Sequence, residues 1–117
     1  MNNKIFNYLE IAGRVALQKS SERSFLLGAV GVRRDGALVR AFNGSDLIPN
    51  RKAHAEYRLA KKLDWGAEVY VVRILKSTGR FAMSRPCDSC LKALRSKGVV
   101  KIYYTIGERE YGTIIYG

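Results

Sequence analysis

Arg85-Pro86-Cys87-Asp88-Ser89-Cys90 sets the reading of this chain, together with a second stretch upstream, Ala53-His54-Ala55-Glu56. The 117 residues contain one histidine and two cysteines, and all three fall inside these two segments. A metal reading therefore uses every imidazole and thiol and leaves none over. Three N/S ligands leave one position of a tetrahedral zinc open, the pattern of a catalytic rather than a structural site. Water in such a position is acidified toward neutrality. Glu56 stands two residues past His54 and is not needed as a ligand, so it can accept a proton.

The elements around these stretches follow from periodicity. Pro86 suits the beginning of a helix, and Cys87 to Lys97 is predicted as that helix, closed by Gly98. A C-x-x-C at a helix N-terminus sets both sulfurs on one face, where backbone N–H groups and the dipole favour thiolate. Upstream, a helix from about Lys52 to Leu63 carries His54 near its start, and Asp64-Trp65-Gly66 ends it. Lys4 to Leu17 is predicted as a first helix, with Ile5, Tyr8, Leu9, Ala12 and Ala16 on its apolar face.

Phe25 to Val32 is an almost continuous apolar run, as for a strand buried on both faces. Arg34-Asp35-Gly36-Ala37 carries a hairpin signal, and Leu38 to Phe42 returns. Glu68 to Leu75 is β-branched and reads as a third strand. Phe81 to Arg85 reads as a short connection. Val99 to Tyr104 is predicted as the fourth strand, Gly107 to Gly112 as a turn, and Thr113 to Tyr116 as the fifth strand. That loop is too short for a helical crossover, so the last two strands should form an antiparallel hairpin. The order α-β-β-α-β-α-β-β gives an α/β fold in a single domain, residues 1–117: a five-stranded mixed sheet flanked by helices.

Composition narrows the partners. The formal charge is +11, from 21 Lys and Arg against 10 Asp and Glu. Such an excess favours a polyanion, although a basic protein can carry charge incidentally. An apolar share of 47% argues against disorder. No run of about 18 apolar residues suggests a membrane span. The opening residues lead into an amphipathic segment rather than a secretion signal, and two cysteines in C-x-x-C spacing suggest a reducing, cytoplasmic compartment.

Blander readings exist for each motif residue. Cys87 and Cys90 can be a redox pair or two small buried hydrophobes. His54 can cap or fill a core, and Glu56 can be a solvated helix residue. C-x-x-C alone is weak. H-A-E followed by P-C-x-x-C, with no other His or Cys in the chain, is specific.

At these residues the sequence resembles the cytidine and deoxycytidylate deaminase superfamily, whose signature is H-x-E…P-C-x-x-C. The resemblance implies one zinc per chain at His54, Cys87 and Cys90, with Glu56 as proton shuttle. It implies attack of hydroxide on an amidine-like ring carbon and departure of ammonia. It also implies a homo-oligomer, since small members commonly form dimers or tetramers. Ala41-Phe42-Asn43-Gly44-Ser45 is similar to the loop of deoxycytidylate deaminases whose asparagine contacts the sugar, which makes Asn43 a substrate-binding candidate beside its turn role. The Ala55 carbonyl and the Cys87 N–H are candidates to hold the base. Free-cytidine deaminases carry an Asn-x-Glu pair, whereas Ser45 follows Asn43 here. Deoxycytidylate deaminases often bind a further metal, and no spare His or Cys is available.

Arg51, Lys52 and Arg85 are candidate phosphate ligands around the site. Tyr103, Tyr104 and Tyr111 are either stacking faces or ordinary strand packing. Lys61, Lys62, Lys92, Arg95 and Lys97 read as solvated helix faces. A single nucleotide needs two or three cations, so the charge favours single-stranded DNA or RNA. Two alternatives stand beside a polynucleotide deaminase: a salvage enzyme acting on a free pyrimidine nucleotide such as dCMP, and a nonenzymatic nucleic-acid-binding module with a structural zinc. The presence of Glu56 speaks against the last, because a structural zinc does not require it.

Overall fold

The computed structural model describes residues 3–17, 25–42, 59–60, 62–75 and 77–116. Its elements run α1 (Asn3–Leu17), β1 (Phe25–Val32), β2 (Leu38–Phe42), β3 (Glu68–Leu75), β4 (Phe81–Ala82), α2 (Asp88–Ser96), β5 (Lys101–Gly107) and β6 (Glu110–Ile115). Of the helix expected over residues 52–63, Leu59 and Ala60 are described and are helical; residues 52–58 lie outside the described residues.

The sheet runs β2-β1-β3-β5-β6, with β4 paired to β3 off this path. β1 is antiparallel to both β2 and β3, β3 and β5 are parallel, and β5 and β6 are antiparallel. The expected hairpins are both present. Between β1 and β2 the Gly36 N–H donates to the Arg33 carbonyl at 2.8 Å, and Gly36 takes a φ of +91°. That left-handed backbone is where glycine is least strained.

β3 sits in the middle of the sheet because it can be covered on both sides. Val69 and Val71 enter one core with Leu59, Leu63, Leu94 and Ile102. Tyr70, Val72 and Ile74 enter the other with Ile5, Leu9, Ala12, Val15 and Ala16 of α1. The result is a sheet with α1 on one face and, on the other, α2 beside the segment around Leu59–Leu63. This is the α/β arrangement expected of the element order.

The core under α1 is partly aromatic. Tyr8 stacks on Tyr70, and Tyr70 on Tyr103, each at 4.8 Å between centroids. Tyr111 then meets Tyr103 and Phe6 edge-on. Burial beside Glu68 pushes the Tyr70 hydroxyl well above its ordinary range, so it stays protonated.

Several boundaries differ from expectation. β5 extends to Gly107 and β6 begins at Glu110, so Tyr111 and Gly112 belong to the ladder and the turn is shorter. Gly112 is not a turn glycine: it pairs with Tyr104, and a Cβ there would strike the Tyr104 ring. Residues 81–82, expected as connection, form β4. Among the described residues, no helix is long and apolar enough to cross a membrane.

α1 lies directly on β1, and Gly28 makes that approach possible. A Cβ at Gly28 would collide with the Ala12 carbonyl and crowd Ala16. Gly28→Ala should therefore cost about 3 kcal/mol, as overpacking against backbone does. Gly36→Ala has open space around it and should cost only the left-handed strain, about 1 kcal/mol. Urea unfolding midpoints of the two variants check this; equal midpoints would remove the close contact from the account.

Candidate metal and active site

The candidate site grows out of a fork in the sheet. β3 and β5 pair only from Glu68↔Lys101 to Val71↔Tyr104. Beyond Val71 the neighbour of β3 is β4, with Arg73 opposite Ala82 and Ile74 opposite Phe81. The chain that follows β4 enters the gap where the parallel strands part. In α/β sheets, ligands commonly bind beyond the carboxyl ends of parallel strands where neighbouring connections diverge.

Ser84 fills the fork. Its hydroxyl accepts the Thr105 N–H at 2.7 Å and lies 2.9 Å from the Val71 carbonyl, to which it can donate. It thereby stands in for a ladder rung between β3 and β5. The Ser84 N–H donates to the Thr105 carbonyl at 2.9 Å, and the Thr105 hydroxyl donates to the Ala82 carbonyl at 2.8 Å. Both side chains are buried. Nothing in the sequence marked Ser84, because its value depends on two strands that are distant along the chain.

Three residues on from Ser84, the chain reaches Cys87 and α2. Cys87 is the N-cap residue, with extended backbone, and its carbonyl accepts the Leu91 N–H at 2.9 Å. Helix N-caps ordinarily carry Ser, Asp, Asn or Thr. A cysteine there is a poor cap and a good metal ligand. Pro86 precedes the cap, so the helix begins one residue later than expected, at Asp88. Cys90 lies in the first turn and is fully buried, whereas Cys87 is exposed. No disulfide joins them.

Both sulfurs thus sit at one helix N-terminus, where the dipole and first-turn N–H groups favour thiolate. The far end of α2 is fixed equally well. The Val99 N–H reaches the Leu94 carbonyl, the Gly98 N–H reaches the Arg95 carbonyl, and Gly98 has a φ of +80°. This is a glycine-terminated Schellman closure, with Leu94 and Val99 packed in the same core.

Arg85 is exposed, and its guanidinium lies 5.9 Å from the centre of the Tyr104 ring. It shares this end of α2 with the cysteines. Of the three tyrosines considered for stacking, Tyr104 is on the α2 side of the sheet; Tyr103 and Tyr111 belong to the aromatic row under α1 and serve as packing. The structure therefore brings Arg85, Cys87 and Cys90 together. Asn43, Arg51, Lys52, His54, Ala55 and Glu56 lie outside the described residues. Two sulfur donors three residues apart, reduced and at a helix N-terminus, suit zinc in charge, softness and spacing.

Comparison with known proteins agrees with this frame. Residues 2–106 match the family described as the cytidine and deoxycytidylate deaminase zinc-binding region, and the chain belongs to that family. Its fold is similar to that of cytidine deaminase from Burkholderia pseudomallei, with a TM-score of 0.67 at 18% identity, covering 94% of this chain and 91% of that one. It is also similar to dCMP deaminase from the cyanophage S-TIM5, with a TM-score of 0.61 at 22% identity, covering 91% and 85%. A curated relative, tRNA-specific adenosine deaminase subunit tad2 of Schizosaccharomyces pombe, is 25% identical over 105 residues. The match takes in 90% of this chain and 26% of that protein's length.

Removing the Ser84 hydroxyl should strand the Thr105 N–H and the Val71 carbonyl in the interior. Ser84→Ala is expected to cost about 2 kcal/mol, the usual size for a buried group left without a partner. Ser96→Ala is the control: Ser96 is exposed and bonds its own helix, at the Ala93 carbonyl, so the loss should stay within about 0.5 kcal/mol. Chemical unfolding of the two variants reads the difference, and equal losses would mean that Ser84 bridges nothing of consequence.

Proposed function

We propose that this chain is a zinc-dependent hydrolytic deaminase that converts cytosine to uracil in single-stranded nucleic acid. The observation that carries the reading is the family match, which spans both H-A-E and P-C-x-x-C. The +11 charge favours the polymeric substrate. One zinc per chain would be held by His54, Cys87 and Cys90. When bound, zinc supplies a Lewis acid that makes water nucleophilic near neutral pH.

The rest of the chemistry falls to the chain. Glu56 takes one proton from the attacking water and gives it to the ring nitrogen, then takes the second from the newly added hydroxyl and gives it to the departing amine. A C–O bond forms at the amidine carbon, the exocyclic C–N bond breaks, and ammonia leaves. The Ala55 carbonyl and the Cys87 N–H hold the base edge, and Asn43 holds the sugar. Arg51, Lys52 and Arg85 take phosphates, with Arg85 steadied by the Tyr104 ring. A base must leave its stack to reach such a site, so a single strand costs less than a duplex.

A second reading changes the base. The curated relative is named for adenosine in tRNA, and adenine presents the same amidine carbon and exocyclic amine. Free dCMP remains the small-substrate alternative.

Ammonia release, measured side by side on dCMP, cytidine, and cytosine- or adenine-containing single strands of DNA and RNA, separates these. The cytosine oligonucleotide should turn over fastest, with log affinity falling against log salt at a slope of about −3 for four or five phosphate contacts. Joint replacement of Arg51, Lys52 and Arg85 should flatten that slope without changing zinc content. Rapid dCMP turnover with untouched oligonucleotides at low salt would overturn the polymeric substrate. Turnover of adenine strands alone would overturn the base.

A further inference from the structure

The chain's single tryptophan, Trp65, is 71% exposed. Its indole is nevertheless seated. The ring lies over Gly98, where any Cβ would strike it, and the adjoining Gly66 N–H donates to the Gly98 carbonyl at 2.9 Å. One side of the ring rests on backbone, and the rest is open to solvent. Gly98 closes the C-terminal end of α2, while Cys87 caps its N-terminal end. Nine helical residues separate the two, a rise of about 14 Å.

The surface between these ends is cationic. Lys92 and Arg95 are both exposed on α2 and lie three apart, on one side of the helix. Lys97 continues beside Gly98, and the Arg34 side chain packs on Gly66. The acids that flank this surface are each held in local contacts, Asp64 through one carboxylate oxygen. Asp64 accepts from Arg33 at 3.1 Å, and Asp35 accepts the Ala37 N–H of its own turn at 3.0 Å. Asp88 is the acid on the helix itself, in its first turn, where it meets the positive end of the dipole.

We propose that the outer face of α2 is a track for single-stranded nucleic acid, with one base stacked on Trp65 about a helix length from the cysteines. An open aromatic face beside a row of cations is the combination that binds single strands with little sequence preference. The charge selects this occupant. A second copy of the chain, itself carrying +11, would bring cations to a face that is already cationic. The proposal rests on the polynucleotide reading above and adds to it a second point of contact, remote from the chemistry.

Trp65 supplies the whole tryptophan emission of the protein, so it reports on its own contact. Zinc-loaded full-length protein is titrated with a cytosine-containing single-stranded oligodeoxynucleotide of roughly fifteen nucleotides, the upper end of common site sizes. Saturable quenching of Trp65, weakening with salt, is expected. Trp65→Ala should lower oligonucleotide affinity about tenfold by fluorescence anisotropy of a labelled strand, while its turnover of free dCMP stays at the parent value. Lys92→Glu with Arg95→Glu should weaken binding as well. If the strand is bound and deaminated while Trp65 emission and Trp65→Ala affinity stay unmoved, the track is wrong and the substrate reading stands. If no strand is bound or deaminated at low salt, both fall. An emission change with protein concentration alone would show that a second copy covers the indole, and would overturn the proposal.

Discussion

Strands β3 and β5 share backbone hydrogen bonds over only four residue pairs before they part. The hydroxyl of Ser84 spans the gap at that point, between the Thr105 N–H and the Val71 carbonyl. The position of the cysteines follows from this arrangement. A full ladder would leave no room for the segment that leads from β4 into α2. An unbridged fork would bury an amide and a carbonyl without partners, at a cost of a few kcal/mol. The hydroxyl resolves the conflict, and Cys87 follows three residues later at the start of a helix that is closed firmly at its other end.

The same geometry explains why the cores take the form they do. β3 presents valines to the α2 side and Tyr70, Val72 and Ile74 to the α1 side, so both helical layers depend on one central strand. α1 can approach as closely as it does because Gly28 carries no side chain. The aromatic row from Tyr8 to Tyr111 then fills the wider space beside β5. Stability and site placement are thus coupled through the two parallel strands rather than through any single contact at the cysteines.

Much of this was legible in the residues. β1, β2 and β3 are bounded as their apolar runs indicate, because Asp-Gly and flanking polar residues mark the ends. The P-C-x-x-C helix was legible from its proline, its spacing and Gly98. The β5–β6 boundary was not, because Gly112 looks like a turn residue and its real reason is the ring of Tyr104 across the ladder. β4 is two residues long and has no periodicity to read. Ser84 and Trp65 were invisible as special positions for a related reason: each gains its role from a partner, Thr105 or Gly98, far away in sequence. Tyr103 offered both stacking and the commoner strand packing, and its side of the sheet decides for packing. The motif residues from His54 to Glu56 lie outside the described residues, so their part of the site rests on sequence pattern and family.

We propose a division of labour at the site: His54, Cys87 and Cys90 hold one zinc, and Glu56 moves protons without holding it. Glu56→Ala tests this directly when metal content and turnover are measured on the same sample. About one zinc per chain, an unchanged unfolding midpoint and turnover reduced at least about a hundredfold, the usual share of a general acid–base group, are expected. Loss of zinc in Glu56→Ala would make Glu56 a ligand, and full turnover would contradict the assigned chemistry.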